Sequence, residues 1–177
     1  MKNFLQKSKS VFYTSKFIDF IELSNHDIKF LVNKNNLLNK KSRICLHKNE
    51  NSKIHEMLIM HKTGAYVRPH KHTAKTESFI LLKGKLKVIV FNNKGDIFKI
   101  IDMEPIGSSK IFYYKMQKSY FHSFIIEKES FFFEITKGPF KKNETIFPSW
   151  APDDKDFVSV KKFQKNLTDK VNSLNKL

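Results

Sequence analysis

The feature that most constrains the fold is a succession of short β-type segments. After Lys41, runs rich in Ile, Val, Phe and Tyr follow one another, and most are separated by Gly, Asn, Ser or Lys clusters. The runs are RICLH, KIHEMLIMH, TESFILLKG, KLKVIVFN, DIFKIIDM, KIFYY, SYFHSFII and SFFFEITKG. Such a series is typical of an all-β sandwich or barrel. The segment NNKG at 92–95 predicts a tight hairpin turn, in which Asn93 or Gly95 takes a positive φ.

Helices are expected on both sides of these strands. The first twenty or so residues alternate weakly and are expected to add an edge strand. From Ser24 or Asn25, either of which is a candidate N-cap, apolar residues recur at helical spacing and predict a short helix that ends near Leu38. Beyond Pro152 near-helical spacing predicts a C-terminal amphipathic helix, marked by Val160, Phe163, Leu167, Val171 and Leu174.

The chain reads as a single domain in three parts. We expect an N-terminal edge segment and helix over 1–41, a β-barrel over 42–152 and a helical tail over 153–177. No stretch approaches the roughly 18 unbroken apolar residues of a membrane helix, and MKNFLQKSKS carries no recognisable secretory signal. One cysteine, Cys45, excludes an internal disulfide and fits a reducing compartment, so a cytoplasmic location is expected.

The charge of the chain first suggests a nucleic-acid partner. Lys and Arg number 33 against 17 Asp and Glu, which gives a formal net charge of +16. The excess is spread along the whole chain, however, and no zinc-finger, basic-zipper or aromatic RNA-binding signature is present. We therefore expect a lysine-rich surface and no nucleic-acid binding.

The segment that carries chemistry is GAYVRPHKHTAKTESFILLKG, at 64–84. On an extended strand His70 and His72 project from the same face and can reach one metal ion. Glu77 follows at the start of the next run, and a third imidazole is available downstream at His122. A mixed nitrogen and oxygen set of this kind suits one divalent ion: Fe, Mn, Ni, Zn or Co.

The spacing of this segment resembles the first motif of the cupin superfamily, G(X)5HXH(X)3-4E(X)6G. Every fixed position matches, namely Gly64, His70, His72, Glu77 and Gly84. The resemblance implies a double-stranded β-helix, or jelly-roll barrel, in which the two histidines, the glutamate and His122 form the metal site. The second cupin motif departs from the usual pattern, because KMQKSYF replaces its PxG turn and Ile126 stands at the usual Asn position.

The flanks are similar to the WbuC-type cupin-fold metalloproteins, small bacterial proteins found in gene clusters for O-antigen and other surface polysaccharides. The likeness covers roughly residues 24–152 and is carried by SRICLH, MLIM, GAYVRPHKH, KTE, FHS, FFEITKGPF and FPSWAP. In that family the second histidine motif ends in Trp-His after a Pro- and Gly-rich stretch. Here Phe121 precedes His122, so an aromatic wall is kept while the loop differs.

Several residues are candidates for binding a substrate beside the metal. Arg43 and Arg68 are the only arginines among the 33 cations, and a planar guanidinium suits an anionic group. Arg68 stands two residues before His70, so on an extended strand it shares that face. Lys75 is either a rim cation or a partner of Glu77. For His47 a pocket wall and a supporting structural position both stay open.

Glu134 is the candidate catalytic carboxylate. It lies in the apolar run FFFEITKG, where a carboxylate needs a partner. It is expected to pair with Arg43 or Arg68, and the alternative is a general base with a raised pKa. The remaining histidines, His26, His55 and His61, have no ligand spacing and are expected at the surface.

Three functions are consistent with these features. The first is a metal-dependent enzyme that acts on an anionic sugar or sugar nucleotide in surface polysaccharide biosynthesis, by isomerase, epimerase or iron-dependent oxygenase chemistry. The second is a non-enzymatic module that binds or senses a small molecule through the metal. The third, which the charge suggests and the motif does not support, is a nucleic-acid-associated protein. A homodimer, formed through barrel faces or the tail, is compatible with the pattern.

Overall fold

The computed structural model describes residues 4–14, 19–34, 40–117 and 120–174. Its strands are β1 (Phe4–Ser8), β2 (Val11–Thr14), β3 (Lys41–Cys45), β4 (Ile54–His61), β5 (Lys71–His72), β6 (Glu77–Phe91), β7 (Ile97–Met103), β8 (Tyr113–Met116), β9 (Phe121–Lys137) and β10 (Thr145–Ile146). Its α-helices are α1 (Asn25–Lys34) and α2 (Phe157–Leu174), and a short 3-10 turn spans Lys142–Glu144. The expected β-rich fold with a helix on each side is confirmed.

The strands form one large sheet and one small one. The order in the large sheet is β1-β2-β3-β4-β9-β6-β7, with β8 paired to β6, and the small sheet joins β5 to β10. Strands β2 and β3 run parallel, whereas the other pairs are antiparallel. The large sheet curls into a jelly-roll barrel, whose interior side chains form one apolar cluster.

Two strands are longer than the sequence pattern suggests. The runs TESFILLKG and KLKVIVFN were expected as separate strands, yet both lie in β6, and the last two runs both lie in β9. The pairing of β6 with β9 shifts register between Leu81 and Leu86, so the strands bend without breaking. Gly84 makes this possible with φ of 100°, because a Cβ there would lie 2.3 Å from the Glu129 carbonyl oxygen.

The helices cover the outer face of the barrel. α1 buries Leu31 against a cluster that includes Ile44 and Leu58, and α2 buries Leu167 and Val171 against the outer side of β6 and β9. Apolar residues on β4 therefore face both the interior and α1. None of the described helices combines the length and the apolar character that crossing a membrane demands.

The ends of the predicted elements are largely as expected. Ser24 precedes α1, and its backbone N–H and its hydroxyl both donate to the Asp27 carboxylate. The predicted helix end near Leu38 falls outside the described residues. The predicted N-terminal edge strand is a hairpin of two strands, β1 and β2. In the turn at 92–95 the residue with positive φ is Gly95, at 90°.

Candidate functional site

The inner face of the barrel encloses a cavity of about 780 Å³. Alternate residues of β3, β4, β6 and β9 line it, together with the loops that precede and follow β5. The segment after β9 also reaches the cavity through Phe140, Lys142, Thr145 and Phe147. All four predicted metal ligands lie on this cavity wall.

The structure brings the four predicted ligands together. Glu77 begins β6 and is 3% exposed, and His122 near the start of β9 is 1% exposed. One carboxylate oxygen of Glu77 lies 3.2 Å from Nε2 of His72, and the other lies 3.4 Å from Nε2 of His122. The backbones of His70 and His122 exchange hydrogen bonds of 3.1 and 2.9 Å, which places their rings 4.5 Å apart between centroids.

Backbone carbonyls fix the tautomer of two of these imidazoles. Nδ1 of His70 lies 2.8 Å from the Arg68 carbonyl oxygen, and Nδ1 of His122 lies 3.1 Å from that of Tyr120. A carbonyl only accepts, so each Nδ1 must carry the proton, and each Nε2 keeps its lone pair. The third histidine, His72, has its Nδ1 3.0 Å from the hydroxyl of Thr145.

The electrostatics of the cluster keep His70 and His122 neutral and Glu77 ionised. Burial, and then the proximity of His122, lower the pKa of His70 to about 3. Burial also lowers the pKa of His122. Burial alone would raise the pKa of Glu77, but the hydrogen bond from His72 opposes burial, and the pKa is lowered on balance.

The four side chains fit the donor chemistry of a divalent cation. The lone pair of a neutral His122 Nε2 faces an anionic oxygen of Glu77 at 3.4 Å, and two electron-rich atoms are stabilised in that position by a positive ion between them. Within the described part of the chain, however, no three His, Cys, Asp or Glu side chains already stand as a ready ligand set. Glu77 instead contacts the histidines directly, so ion binding requires these side chains to separate.

The two arginines occupy different environments. Arg68 precedes β5 in a stretch without regular structure. Its Nη1 lies 2.6 Å from the Asp153 carboxylate, its Nη2 donates to the Ala151 carbonyl, and its guanidinium lies 4.6 Å from the Phe147 ring centroid. Arg43 lies on β3 and lines the cavity, and no described acidic side chain forms an ion pair with it. Arg68 therefore ties down the C-terminal segment, while the charge of Arg43 stays available.

Lys75 and His47 also line the cavity. The ammonium of Lys75 lies 4.9 Å from the Phe140 ring centroid, and among the described residues the ion pairs of Glu77 are with His72 and His122 rather than with Lys75. His47 is buried and accepts a hydrogen bond at Nδ1 from the backbone N–H of Glu56. Burial, and then a neighbouring imidazole, lower the pKa of His47 to about 4.

Glu134 faces the cavity from β9. The structure pairs it with Phe79 of β6, whose neighbour two residues earlier is Glu77, so the two carboxylates stand diagonally on one face. Burial, and then the charge of Glu77, raise the pKa of Glu134 to about 8, against the opposing effect of Arg43. The expected ion pair with Arg43 or Arg68 does not form within the described residues, so the carboxyl stays largely protonated at neutral pH.

Two histidines that line the cavity were expected at the surface, and that prediction is wrong. His55 and His61 are 5% and 8% exposed, because they fall at alternate positions of β4 whose side chains face the interior. The ring of His55 stacks on that of His47 at 4.0 Å. The available signal was their two-residue spacing with Met57 and Ile59. His26 is exposed, as predicted.

Comparison with known proteins supports the fold more than the function. A family model described as a domain of unknown function, DUF6016, matches residues 33–103, a stretch that holds His70, His72 and Glu77 but not His122. A search of curated proteins gives no match. The assignment of the fold therefore depends on the similarity to solved structures.

The solved structures that resemble this chain include proteins of three kinds. The capsular polysaccharide assembling protein CapF from Staphylococcus aureus has a TM-score of 0.50 and 19% identity over 64% of this chain and 31% of its own. Oxalate decarboxylase from Bacillus subtilis has a TM-score of 0.46 and 20% identity, over 60% of this chain and 27% of its own. A cupin superfamily protein from Desulfitobacterium hafniense has a TM-score of 0.44 and 13% identity, over 56% of this chain and 78% of its own. The chain spans about a third of the length of CapF. Together with the sheet topology, the likeness to CapF shows that the chain has a jelly-roll fold.

Proposed function

We propose that the protein binds one divalent metal ion through His70, His72, Glu77 and His122. The observation that carries the proposal is the convergence of two imidazole nitrogens, from His72 and His122, on the buried Glu77 carboxylate inside a cavity. Three imidazoles and one carboxylate leave one or two positions of a five- or six-coordinate ion for water or substrate. A bound ion there supplies Lewis-acid polarisation of a substrate carbonyl or hydroxyl.

The most consistent activity is a metal-dependent reaction on an anionic sugar or sugar nucleotide in surface polysaccharide biosynthesis. The resemblance of the flanking segments to WbuC-type proteins motivates this proposal, and CapF, which shares the fold, is named for capsular polysaccharide assembly. A cavity of about 780 Å³ has room for a sugar phosphate. A cytoplasmic location and a homodimer remain part of the proposal.

The chain's own residues have distinct roles in this reaction. Arg43 and Lys75 attract the anionic group, and His47 forms part of the wall. Arg68, held by Asp153, closes the cavity with the C-terminal segment. The protonated Glu134 can donate a proton to a substrate oxygen and recover it afterwards, because its raised pKa is close to neutral pH.

A non-enzymatic binding module is the second candidate. The observation that favours it is the apolar part of the cavity wall, formed by Met57, Ile59, Phe79, Phe124 and Phe132. Such a wall excludes water and holds a ligand without any chemical step. Binding without turnover would then be the whole activity.

Metal analysis followed by turnover assays tests these proposals. Purified protein is expected to hold about one divalent ion per chain, and His70→Ala and Glu77→Ala are expected to lose it, whereas His26→Ala, at an exposed position, keeps it. The metal-loaded protein is then incubated with nucleotide sugars and sugar phosphates. Product formation supports the enzyme, binding without product supports the module, and oxygen consumption with iron identifies an oxygenase. Protein without stoichiometric metal refutes both candidates.

A further inference from the structure

A second polar cluster lies on the β3–β4 side of the cavity, apart from the metal ligands. Lys41 and Arg43 are two residues apart on β3 and share a face. His61 of β4 is the register partner of Lys41. All three side chains line the cavity, so two cations and an imidazole stand side by side on adjacent strands.

Arg43 carries an exposed charge at the edge of the cavity, beside apolar neighbours in the sheet. In the sheet it stands between Val11 and Ile59, and the row continues to Phe132 on β9. Neither Arg43 nor Lys41 forms an ion pair with a described residue. Arg43 is exposed and Lys41 is half-buried, so both charges are hydrated and open to a ligand anion that enters the cavity. Arg68, in contrast, already has Asp153.

His61 adds an unsatisfied polar atom to the cluster. It is 8% exposed, and its Nδ1 is buried without a hydrogen-bond partner. Burial, and then the charges of Lys41 and Arg43, lower its pKa to about 3. The imidazole is therefore neutral and keeps one N–H to donate, and a buried polar atom without a partner costs on the order of 1–3 kcal/mol.

The nearby acidic group does not cancel these cations. Glu134 on β9 faces the interior. It lies in the cross-strand row next to the one that holds Arg43, and burial raises its pKa to about 8. At neutral pH it is mostly protonated, so the excess positive charge on this side of the cavity remains. A protonated carboxyl is also a donor to an oxyanion.

We propose that Lys41, Arg43 and His61 bind an oxyanion of the ligand, a phosphate or a carboxylate. An arginine fork, an ammonium and a neutral N–H together match the oxygens of such a group. This site is defined by its own three residues and does not need the metal.

The position of the cluster identifies the class of ligand. The Phe124 ring lies 6.3 Å from the ring of His61 and 6.3 Å from that of His122, so one aromatic side chain separates the oxyanion site from the metal ligands. A molecule that carries an oxyanion and, several bonds away, an oxygen able to coordinate a metal reaches both. A sugar phosphate or a sugar acid is of this class. This inference about the class of ligand rests on the proposed function.

Binding measurements on the metal-free full-length chain test the oxyanion site alone. The probes are inorganic phosphate, glucose 1-phosphate, glucuronate and glucose, titrated by calorimetry at low salt. We expect glucose 1-phosphate or glucuronate to bind at least tenfold more tightly than glucose, and the preferred probe distinguishes a phosphate from a carboxylate site. Arg43→Ala is expected to weaken that binding at least tenfold and Arg43→Lys by less.

Two further variants separate a specific site from bulk charge and from packing. Lys94→Ala removes one exposed cation in the 92–95 turn and is expected to change affinity less than twofold. His61→Phe keeps a ring against Phe132 and removes the N–H, with an expected loss of at least threefold. Equal affinity of Arg43→Ala and Lys94→Ala overturns the proposal, and so does the absence of binding for all three anionic probes at 10 millimolar, roughly the weak limit of specific recognition.

The metal content of the same samples separates this proposal from the proposed function. Arg43→Ala is expected to keep the metal content of the unmodified protein, because Arg43 contacts none of the predicted ligands. Oxyanion binding without stoichiometric metal supports the site and refutes the metal function. Stoichiometric metal without oxyanion binding refutes the site and leaves the metal function standing.

Discussion

Nε2 of His122 lies 3.4 Å from a carboxylate oxygen of Glu77, while Nδ1 of the same ring lies 3.1 Å from the Tyr120 carbonyl oxygen. The carbonyl fixes the proton on Nδ1, so the lone pair of Nε2 faces the carboxylate. Buried anions and lone pairs that face each other are stabilised by a cation, which links the local geometry to the proposed metal.

Metal is expected to stabilise the fold. An ion that binds only the folded chain, at 100 times its dissociation constant, adds about 2.7 kcal/mol to the free energy of unfolding. For a chain of this size the melting temperature should rise by roughly 5–10 °C. Differential scanning fluorimetry with and without a divalent ion measures this, and an equal rise in His122→Ala would contradict the account.

Thr145 is expected to position His72. Its hydroxyl lies 3.0 Å from Nδ1 of that ring, and the pairing of β10 with β5 places the two residues opposite each other. Because such supporting groups set the orientation of a ligand, Thr145→Val should weaken metal affinity about 10–100-fold. Thr145→Ser, which keeps the hydroxyl, is the control and should stay close to the unmodified protein. Competition with a chromophoric chelator gives both affinities.

Glu134 should make the stability depend on pH. Its pKa is about 8 in the folded chain, against an ordinary value of 4.5 that applies to the unfolded chain. The folded state therefore binds the proton more tightly. Its stabilising effect is full below pH 4.5 and is lost as the pH rises through 8. Glu134→Gln should therefore unfold with a flatter pH dependence, and its advantage over the unmodified chain should grow to several kcal/mol by pH 9. Parallel urea titrations of the two proteins test this, and equal slopes would refute it.

The bend of β6 should depend on Gly84. Its positive φ and the close Glu129 carbonyl both oppose a side chain, so Gly84→Ala should cost about 3 kcal/mol or more. Gly107 has φ of 99° but no heavy atom within 4 Å of an added Cβ. Gly107→Ala should therefore cost only about 1–2 kcal/mol. Chemical denaturation compares the two, and similar losses would mean that the close approach is unimportant.

The sequence could predict the candidate ligands because their spacing is local. His70, His72 and Glu77 lie within one short segment, and the two-residue alternation of strands places the histidines on one face. The strands could also be predicted, because β-branched and aromatic residues are enriched in them. The prediction extended to His122 because it lies in another such run.

The interior positions of His55 and His61 were harder to predict, although both stand at two-residue spacing with Met57 and Ile59. α1 covers the outer face of β4, so Leu58 and Met60 are as buried as Met57 and Ile59. The resulting unbroken run MLIM hides the alternation that would have placed His55 and His61 inside. The pairing of Arg68 with Asp153 joins residues 85 positions apart, and no local pattern encodes such a contact.

The most direct test of the central claim is a titration of metal-free protein with Co²⁺, followed by visible absorption. The account predicts saturation at about one ion per chain for the unmodified protein and for His26→Ala, and no saturable binding for Glu77→Ala or His122→Ala. Saturable binding that survives both substitutions, or no saturable binding to the unmodified chain, would contradict it.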